Sequence, residues 1–448
     1  MTFVLYAYLG GNMENKIEYA IFAHGMDKAY GRVIIGFSGG ADSSLLLHYF
    51  AGKAKEVVCV HVNHMIRGEE ADRDQQFCQR VCEKYGVELV VHKADIPALA
   101  KKLGKGIEET ARDERYRVFE RELQARGFDA ILTAHNADDN VESIIFNLAR
   151  GTGLNGLCGI KPVNGSILRP LIYLSKDEIF SLCRENNIEY VTDSTNTDTD
   201  YTRNYIRHKV VPVIKELNPE LVNGVSRMSE GLIYDEEFIL SQAKAFMSEY
   251  KDGHVSTEKI SVLHRSVRAR ALKLMAGQSL DYKSIRACED IIFNSECGSY
   301  ADIGKGLVFK KERGYVCFLE KSEIDSVQYA YPLKDTVLID EISTVVSVEG
   351  VVPDAYVEEY SVRLDKRGIN GELYLRSRKD GDKIKVNNMT KRVKRILCDN
   401  HVPSHLRDKI PLICDESGIV ALPRLCIRDG CKVSKDSDTV EIKFYRQK

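Results

Sequence analysis

The polar segment Ser38–Ser44 constrains the fold of this 448-residue chain more than any other feature. It lies between two apolar runs, Val33–Phe37 and Leu45–Leu47, and contains the consecutive glycines Gly39 and Gly40. This pattern predicts a buried strand, a tight loop and a helix. Small residues let backbone N–H groups approach an anion closely, and the N-terminus of the following helix carries a partial positive charge. The segment therefore predicts a phosphate-binding loop.

Two features of this loop limit the reactions and the cofactors that we expect. No lysine follows the glycines, as it does in loops that transfer a γ-phosphoryl group, so that reaction is not expected. Asp42 would repel a bound phosphate unless a cation lay between them, which predicts Mg²⁺ at this position. The alternative is a plain Gly-Gly turn in which Asp42 and Ser43 only cap the helix.

Short apolar runs alternate with helical patterns from about residue 33 to residue 190. The pattern predicts strands at 57–60, 89–91 and 130–133, and helices at 71–85, 108–126 and 138–149. Strands that alternate with helices form a parallel sheet covered by helices on both faces. The predicted fold class is therefore α/β, and ligands are expected beyond the carboxyl ends of the strands.

Polar residues occur where two of these strands end. His61 and Asn63 alternate in an extended segment, so their side chains share one face, near the expected nucleotide. His135 follows another strand, and the next helix opens with three carboxylates within one turn, Asp138, Asp139 and Glu142. Acidic residues in a first turn can simply complement the helix dipole. Their place at a strand end beside His135 favours a site for a cation, either Mg²⁺ or an ammonium substrate.

Two groups of arginines have helical spacing. Arg112, Arg115 and Tyr116 stand at positions i, i+3 and i+4, and Arg203 and Arg207 are one turn apart. Guanidinium groups on a common face suit a phosphate or a nucleic-acid backbone. A salt-bridged surface helix explains the first group equally well.

Any contact with nucleic acid must come from a local basic patch, because the formal net charge is only −2. Basic residues outnumber acids in the last hundred residues around 375–383 and 391–395. Arg376 and Arg378 alternate on a predicted strand, which favours a surface that follows RNA phosphates over a merely solvated face.

The remaining composition describes an intracellular globular protein. The twelve cysteines include no C-x-x-C pair, which predicts reduced, mostly buried thiols and no zinc ribbon. No apolar run reaches membrane-spanning length, so we expect no membrane partner and a cytoplasmic location. Met13, followed by a helical pattern, is an alternative start of translation.

The loop Ser38-Gly39-Gly40-Ala41-Asp42-Ser43 resembles the S-G-G-x-D-S pyrophosphate loop of the N-type ATP pyrophosphatases, which cleave ATP between the α- and β-phosphates and adenylate a carbonyl oxygen. Further motifs extend the resemblance over residues 38–212 to the tRNA(Ile)-lysidine synthetases. These motifs are His61-Val62-Asn63-His64 with Arg67, Glu109-Thr110-Ala111-Arg112, Thr133-Ala134-His135 with Asp138-Asp139, Arg150-Gly151-Thr152-Gly153-Leu154, and Asp193-Ser194-Thr195-Asn196 with Arg203-Asn204 and Arg207. Asn136 and Ser143 stand where histidine and threonine are usual in that family.

The resemblance implies an ATP-dependent ligation. The C2 carbonyl oxygen of the wobble cytidine in a CAU-anticodon isoleucine tRNA would be adenylated, and the amine of free L-lysine would displace AMP. The product, lysidine, changes decoding from AUG to AUA. The implied cofactors are ATP and Mg²⁺.

The resemblance also implies roles for individual residues. The ATP-binding residues would be Ser38, Gly39, Gly40, Ala41, Asp42, Ser43, His61 and Asn63. The catalytic residues would be Asp42, Arg112, His135 and Asp138, with Asp42 and Asp138 as metal ligands. The substrate-binding residues would be Asp139, Glu142, Arg203, Arg207, Arg376 and Arg378.

We expect a catalytic domain at 1–212, a mainly helical tRNA-positioning domain at 213–335 and a small α+β tRNA-binding domain at 345–448. The middle region is predicted to contain helices at 236–249 and 266–276 and a hairpin at 308–319. A homodimer is compatible with the sequence.

Three alternative functions are compatible with the same phosphate loop. A tRNA thiolase would need paired reactive cysteines or an iron–sulfur C-x-x-C set, which the sequence lacks. A ligase of small acids would leave the basic C-terminal segment unexplained. A non-catalytic, nucleotide-dependent RNA-binding module would show no tRNA-dependent exchange of pyrophosphate into ATP.

Overall fold

A computed structural model of the chain describes residues 13–65, 69–192, 202–324, 326–348, 352, 354–434 and 437–447. The chain divides into two compact units between Phe238 and Ile239. Arg67 and the motif residues Asp193-Ser194-Thr195-Asn196 lie outside the described residues.

The first unit is built on a six-stranded sheet in the order β3-β2-β1-β4-β6-β5. Its strands are β1 (Arg32–Gly36), β2 (Glu56–Asn63), β3 (Glu88–Lys93), β4 (Ala130–Leu132), β5 (Val163–Asn164) and β6 (Ile167–Leu168). All neighbouring pairs are parallel except β5 with β6. The order places β1 and β4 side by side at the centre, so the segments that follow these two strands leave the sheet next to each other.

Helices cover both faces of this sheet. They are α1 (Met13–Ala23), α2 (Ala41–Ala51), α3 (Glu69–Tyr85), α4 (Ile96–Leu103), α5 (Ile107–Arg126), α6 (Ala137–Ala149), α7 (Leu154–Leu157), α8 (Lys176–Glu185), α9 (Thr202–Tyr205), α10 (Val211–Leu217) and α11 (Leu221–Phe246). A π-helical turn, Ile206–Val210, joins α9 to α10.

The apolar residues of β1 explain why helices cover both faces of the sheet. Val33 and Ile35 pack into one core cluster with Leu46 of α2, whereas Ile34 packs into a second cluster with Phe119 of α5. Successive side chains of a strand point to opposite faces, so a strand without polar residues must be covered on both. The predicted α/β class with a parallel sheet is confirmed, as are the predicted strands and helices, with ends that differ by up to three residues.

The second unit begins with a four-stranded sheet in the order β7-β10-β9-β8. The elements of this part are β7 (His254–Ser256), α12 (Thr257–Ser261), α13 (Arg265–Ala276), α14 (Tyr282–Asn294), β8 (Tyr300–Gly304), β9 (Leu307–Glu312), β10 (Tyr315–Glu320) and α15 (Lys321–Ile324). The predicted helix 266–276 and the hairpin of β9 and β10 are confirmed. The predicted start of a helix at residue 236 is wrong, because the helix there, α11, begins at Leu221 and ends at Phe246.

The rest of the second unit consists of two further sheets and a hairpin. The strands and helix are β11 (Ala330–Pro332), β12 (Thr336–Ile339), β13 (Thr344–Ser347), β14 (Tyr356–Asp365), β15 (Tyr374–Arg376), β16 (Lys383–Val386), β17 (Met389–Arg392), α16 (Val393–Asp399), β18 (Leu412–Asp415), β19 (Gly418–Leu422), β20 (Cys426–Ile427) and β21 (Thr439–Gln447). The expected alternation of Arg376 and Arg378 on one strand is wrong, because β15 ends at Arg376.

Candidate active site

The loop after β1 has the shape that its glycines predict. Gly39 has a φ of +82°, and a Cβ atom there would lie 3.1 Å from Cys78 Sγ and 3.2 Å from Val191 Cγ2, so a side chain would be both strained and crowded. The hydroxyl of Ser43 donates to the carbonyl of Gly40 at 3.0 Å and lies 3.2 Å from the hydroxyl of Ser38, which closes the loop on itself.

The helix that follows this loop begins without a side-chain cap. Gly40 is the N-cap residue of α2, and no side chain accepts a hydrogen bond from its first turn. The alternative in which Asp42 and Ser43 act only as caps is therefore wrong. Uncapped N–H groups at the start of an eleven-residue helix provide the donors that a phosphate needs.

Asp42 instead connects this loop to two other elements. Its Oδ1 accepts a hydrogen bond from Asn136 Nδ2 at 3.0 Å, and its Oδ2 lies 3.4 Å from Lys176 Nζ. Asn136 precedes α6 and Lys176 begins α8, so three segments at the carboxyl edge of the sheet meet at one carboxylate.

Asn136 is completely buried and also caps the helix that follows it. Its Oδ1 accepts the N–H of Asp139 at 3.0 Å, and Asp139 Oδ2 accepts the N–H of Asn136 at 3.1 Å. This capping box fixes the first turn of α6, which carries the predicted acidic group.

The predicted acidic residues come together with Asp42 in one cluster. Asp138 accepts from the N–H of Lys176 at 2.8 Å and pairs with Lys215 Nζ at 3.0 Å. Glu142 receives two hydrogen bonds from Arg207, at 2.6 and 2.9 Å.

The charges of this cluster do not cancel. Asp139 lies 3.3 Å from the guanidinium of Arg207, so three cations face four carboxylates. Burial, followed by the charges of Asp42 and Glu142, raises the pKa of Asp139 to about 6. An additional cation would relieve this excess of negative charge.

Lys176 links two of these carboxylates. Its Nζ contacts Asp42 and its backbone N–H donates to Asp138. Carboxylate oxygen is a ligand that hard cations such as Mg²⁺ prefer. Among the described residues, no group of three or more histidine, cysteine or carboxylate side chains could hold a metal alone.

His61 and Asn63 stabilise the chain around the loop. The Nδ1 of His61 donates to the carbonyl of Phe37 at 2.9 Å, directly before the loop. Asn63 accepts the N–H of Met65 at 3.0 Å and donates to Gln75 at 3.3 Å. Both side chains are buried, and their spacing of two residues within β2 places them on one face of the sheet.

Arginines surround His135 near the end of β4. Nδ1 of His135 lies 3.0 Å from the hydroxyl of Thr133, and Nε2 has no partner among the described residues. Burial and then the positive charges of Arg169, Arg112, Arg115 and Arg203 lower the pKa of His135 to about 3. The imidazole is therefore neutral at physiological pH.

Two of these arginines have little negative charge beside them. Arg112 lies over the ring of Tyr116, 5.1 Å from its centroid, and forms no ion pair with a described residue. Arg115 lies 3.3 Å from His64 Nε2. Arg203 pairs with Glu108 at 3.2 Å. Together these guanidinium groups form a recess that suits an anion.

Three residues of this region were missed by the sequence analysis: Arg169, Lys176 and Lys215. A signal existed for two of them. Ser175 and Glu178 form a capping-box pattern that places Lys176 at the start of a helix, and Arg169 directly follows the short strand β6. Nothing in the sequence indicates that Lys215 contacts Asp138.

In the second unit, Arg376 and Arg378 are committed to ion pairs. Arg376 makes two hydrogen bonds with Asp382, at 2.8 and 2.9 Å, and its side chain is 11% exposed. Arg378 lies 2.7 Å from Asp408. These contacts stabilise the fold and leave little of either guanidinium for RNA.

Unpaired cations are found on the neighbouring hairpin instead. Five exposed residues of β16, β17 and α16 form no ion pair with a described residue: Lys383, Lys385, Lys391, Arg392 and Lys394. The hairpin turn is rigid, because Asn387 and Asn388 both have positive φ and both donate their N–H groups to Asp429.

All twelve cysteines are free and nine of them are buried, which confirms that the thiols are mostly buried. No helix in the described part of the chain is both long and apolar enough to span a membrane.

Comparison with known proteins agrees with this geometry. Residues 13–214 match the family model of the PP-loop domain, and residues 373–444 match that of the TilS substrate C-terminal domain. The parallel sheet and its loop thus define a PP-loop enzyme that uses ATP.

Relatives identify the family within this class. The chain is 31% identical to the tRNA(Ile)-lysidine synthase of Caldanaerobacter subterraneus subsp. tengcongensis, over 97% of each chain. It is 30% identical to that of Bacillus subtilis, over 88% of this chain and 89% of the relative, and 28% identical to that of Clostridioides difficile, over 96% and 99%. The chain belongs to the tRNA(Ile)-lysidine synthase family, whose members are ATP-dependent ligases.

Proposed function

We propose that this enzyme ligates free L-lysine to the C2 position of the wobble cytidine in CAU-anticodon isoleucine tRNA, in the cytoplasm. In the first step, the C2 carbonyl oxygen attacks the α-phosphorus of ATP and pyrophosphate leaves. In the second, the amine of lysine attacks C2, the bond from C2 to the adenylated oxygen breaks, and AMP leaves with that oxygen.

The observation that carries this proposal is the meeting of the phosphate loop with the acidic cluster. Asp42 belongs to the loop, yet its two oxygens contact Asn136 and Lys176, whose backbones also contact Asp139 and Asp138. A site for pyrophosphate therefore adjoins a site for a positively charged substrate. A reaction that joins a nucleotide to an amine requires this adjacency.

We assign the phosphates to the loop and to the arginine recess. Backbone N–H groups of Gly39, Gly40 and Ala41, with the hydroxyls of Ser38 and Ser43, would bind pyrophosphate. Asp42 and Asp138 would hold Mg²⁺, which supplies charge neutralisation at the phosphates when bound. His61 and Asn63 would shape the nucleotide side of the site.

Arg112 and His135 would stabilise the charge that develops at the α-phosphate. Neutral His135 has one ring nitrogen free for this purpose among the described contacts, and Arg112 has no carboxylate partner there. One such preorganised donor is worth about 10²–10³ in rate.

We assign the substrate ammonium to the acidic cluster. Asp139 and Glu142 would bind lysine, with Arg207 holding Glu142 in place, and Arg203 would contact the tRNA. Because the cluster has one more carboxylate than cation, it can accept a further positive charge.

The tRNA itself would be bound by more than the sheet domain. The proposed domains span 1–212, 213–335 and 345–448, and the middle domain would position the tRNA. Within the last, we infer that the basic hairpin of β16 and β17 contacts RNA phosphates, whereas Arg376 and Arg378 maintain the fold around it.

The decisive experiment measures two activities with transcript tRNAs. The enzyme should exchange labelled pyrophosphate into ATP only when the isoleucine tRNA is present, and it should attach labelled lysine to that tRNA. Methionine tRNA, which shares the CAU anticodon, is the matched control. Exchange without lysine attachment would favour another PP-loop tRNA-modifying enzyme, and no exchange would favour a binding module.

A further inference from the structure

Arg169 is a buried cation at the edge of the site. It directly follows β6, and the N–H of Thr133, directly after the adjacent strand β4, donates to the carbonyl of Leu168 at 3.0 Å. Arg169 thus stands beside the segment that carries His135. Only 4% of Arg169 is exposed.

The contacts of Arg169 leave its guanidinium incompletely paired. Nη1 donates to the carbonyl of Lys161 at 2.6 Å, and the group also interacts with the phenol of Tyr116. Nε is buried and has no hydrogen-bond partner among the described residues. No carboxylate in the described part of the chain forms an ion pair with it. A buried guanidinium without a carboxylate is unfavourable for folding alone.

A chain of contacts links Arg169 to the proposed chemistry. Its partner Tyr116 presents its ring face to Arg112, whose guanidinium carbon is 5.1 Å from the ring centroid. Arg112 is the exposed end of this chain, and Arg169 is its buried end.

We propose that Arg169 is a positioning residue of the active site: it fixes Tyr116, and through it Arg112, beside His135 during adenylation. This inference rests on the proposed roles of Arg112 and His135. It adds a residue that touches neither ATP nor tRNA.

Four arginines carry the charges that act on His135. The charged groups that act on His135 come from three elements: Arg169 beyond β6, Arg112 and Arg115 on α5, and Arg203 on α9. The nearby carboxylates of α6 are paired with Arg207 and Lys215. After burial, Arg169 has the largest effect in lowering the pKa of His135.

The test uses the full-length enzyme and two substitutions at one position. Arg169→Gln removes the positive charge. Arg169→Lys keeps the charge but lacks the planar guanidinium group and its several N–H donors. The pKa of His135 is followed by NMR of its Cε1–H, assigned by the signal lost in His135→Ala. Adenylation is followed by tRNA-dependent pyrophosphate exchange, with kcat and the KM for ATP measured separately.

We expect the two variants to differ in the NMR titration. In Arg169→Gln the pKa of His135 should rise toward its ordinary value of 6.5, whereas in Arg169→Lys it should stay low. In both variants kcat should fall, roughly 10- to 100-fold for Gln and less for Lys, because Arg112 is no longer fixed. The KM for ATP should stay within about twofold, since the phosphate loop is untouched.

Two further variants make the result decisive. Arg126→Gln is the matched control, because Arg126 lies at the other end of α5 and pairs only with surface carboxylates. Tyr116→Phe removes the link without the buried charge, and it should lower kcat while the His135 pKa remains low. This variant gives the answer if Arg169→Gln does not fold.

The inference is overturned if folded Arg169→Gln titrates and turns over like Arg126→Gln, or if Tyr116→Phe has wild-type kcat. Arg169 would then only hold the turn between β5 and β6 through Lys161. If Arg112→Ala and His135→Ala also have wild-type exchange, the proposed roles of the recess fail instead.

Discussion

The side-chain amide of Asn136 donates a 3.0 Å hydrogen bond to Asp42, a residue 94 positions earlier in the chain. The same side chain caps α6 through the N–H of Asp139. One buried residue thus fixes both the phosphate loop and the first turn of the acidic helix.

Asn136→Ala should therefore damage both stability and catalysis. Loss of the cap should cost about 1 kcal/mol in the free energy of unfolding, and the unsatisfied Asp42 should lower the rate of adenylation. Asp95→Ala is the control, since Asp95 caps α4 in the same way but has no contact with the loop. Urea unfolding and pyrophosphate exchange separate the two effects. Equal exchange rates in both variants would show that Asn136 is only a helix cap.

Asp42→Asn should abolish adenylation and preserve the fold. The amide oxygen can still accept the hydrogen bond from Asn136, but the amide cannot hold Mg²⁺ against phosphates, so we expect a loss of at least about 10²-fold in exchange rate. Asp177→Asn, an exposed acidic residue of α8, should have wild-type activity. A folded Asp42→Asn enzyme with normal turnover would remove Asp42 from the metal site.

Much of this architecture follows from local patterns. Val33, Ile34 and Ile35 form an uninterrupted apolar strand, and such a strand can only be buried on both faces. The pairing of charges is different, because it depends on how distant helices pack. Lys176 is 134 residues from Asp42, and Lys215 is 77 residues from Asp138. No spacing within one helix could have predicted these contacts.

The pairing of basic residues in the second unit is likewise hidden from the sequence. Arg376 and Arg378 have the composition of an RNA-binding strand, but each pairs with a nearby aspartate, Asp382 and Asp408. Whether a basic residue is available to a ligand depends on which acids the fold brings beside it. That information is absent from a linear count of charges.

Glu142→Gln should raise the KM for lysine about tenfold and leave adenylation of tRNA intact. The substitution removes one negative charge from the acidic cluster, and a hydrogen bond to a charged group is worth about 1.5–3 kcal/mol. Glu185→Gln, on the exposed end of α8, serves as control. If adenylation collapses while lysine dependence is unchanged, the cluster binds only metal.

Glu312 should make the second unit sensitive to acid. Burial alone would raise the pKa of Glu312, but the proximity of His405, whose Nδ1 lies 3.6 Å away, the hydrogen bonds from Ser404 and the charge of Lys310 lower it to about 2. Because the folded value lies below the ordinary 4.5, the ionised group stabilises the fold above pH 4.5. This contribution, about 3 kcal/mol at most, is lost as the pH falls toward 2.

Glu312→Gln should remove that acid dependence. The variant should be less stable at neutral pH, since it leaves Lys310 buried without a carboxylate, and its stability should fall less steeply between about pH 4.5 and 2. Glu320→Gln, exposed at the end of β10, should keep the wild-type profile. Identical acid profiles for all three proteins, measured by chemical unfolding, would contradict the role of Glu312.

The basic hairpin allows the sharpest test of tRNA binding. Lys383 and Lys385 project from the exposed side of β16, and Arg392 stands opposite Lys383, so the three cations share one face. Replacing all three with glutamine should leave the fold intact, because their side chains are solvated and unpaired among the described residues. Each phosphate contact contributes about 0.7–0.9 to the slope of log affinity against log salt concentration. The slope should therefore become shallower by roughly 2–3.

A matched triple variant controls for the change in net charge. Arg363, Lys366 and Lys443 are cations of the same unit, but each pairs with a carboxylate: Glu441, Asp438 and Glu358. Their replacement by glutamine changes the net charge equally, yet should alter tRNA affinity and its salt slope little. ATP binding should be normal in both proteins, since the loop that binds it is unaffected. If the two triple variants lose the same affinity and slope, the hairpin is a solvated face, and tRNA recognition returns to Arg203 and Arg207.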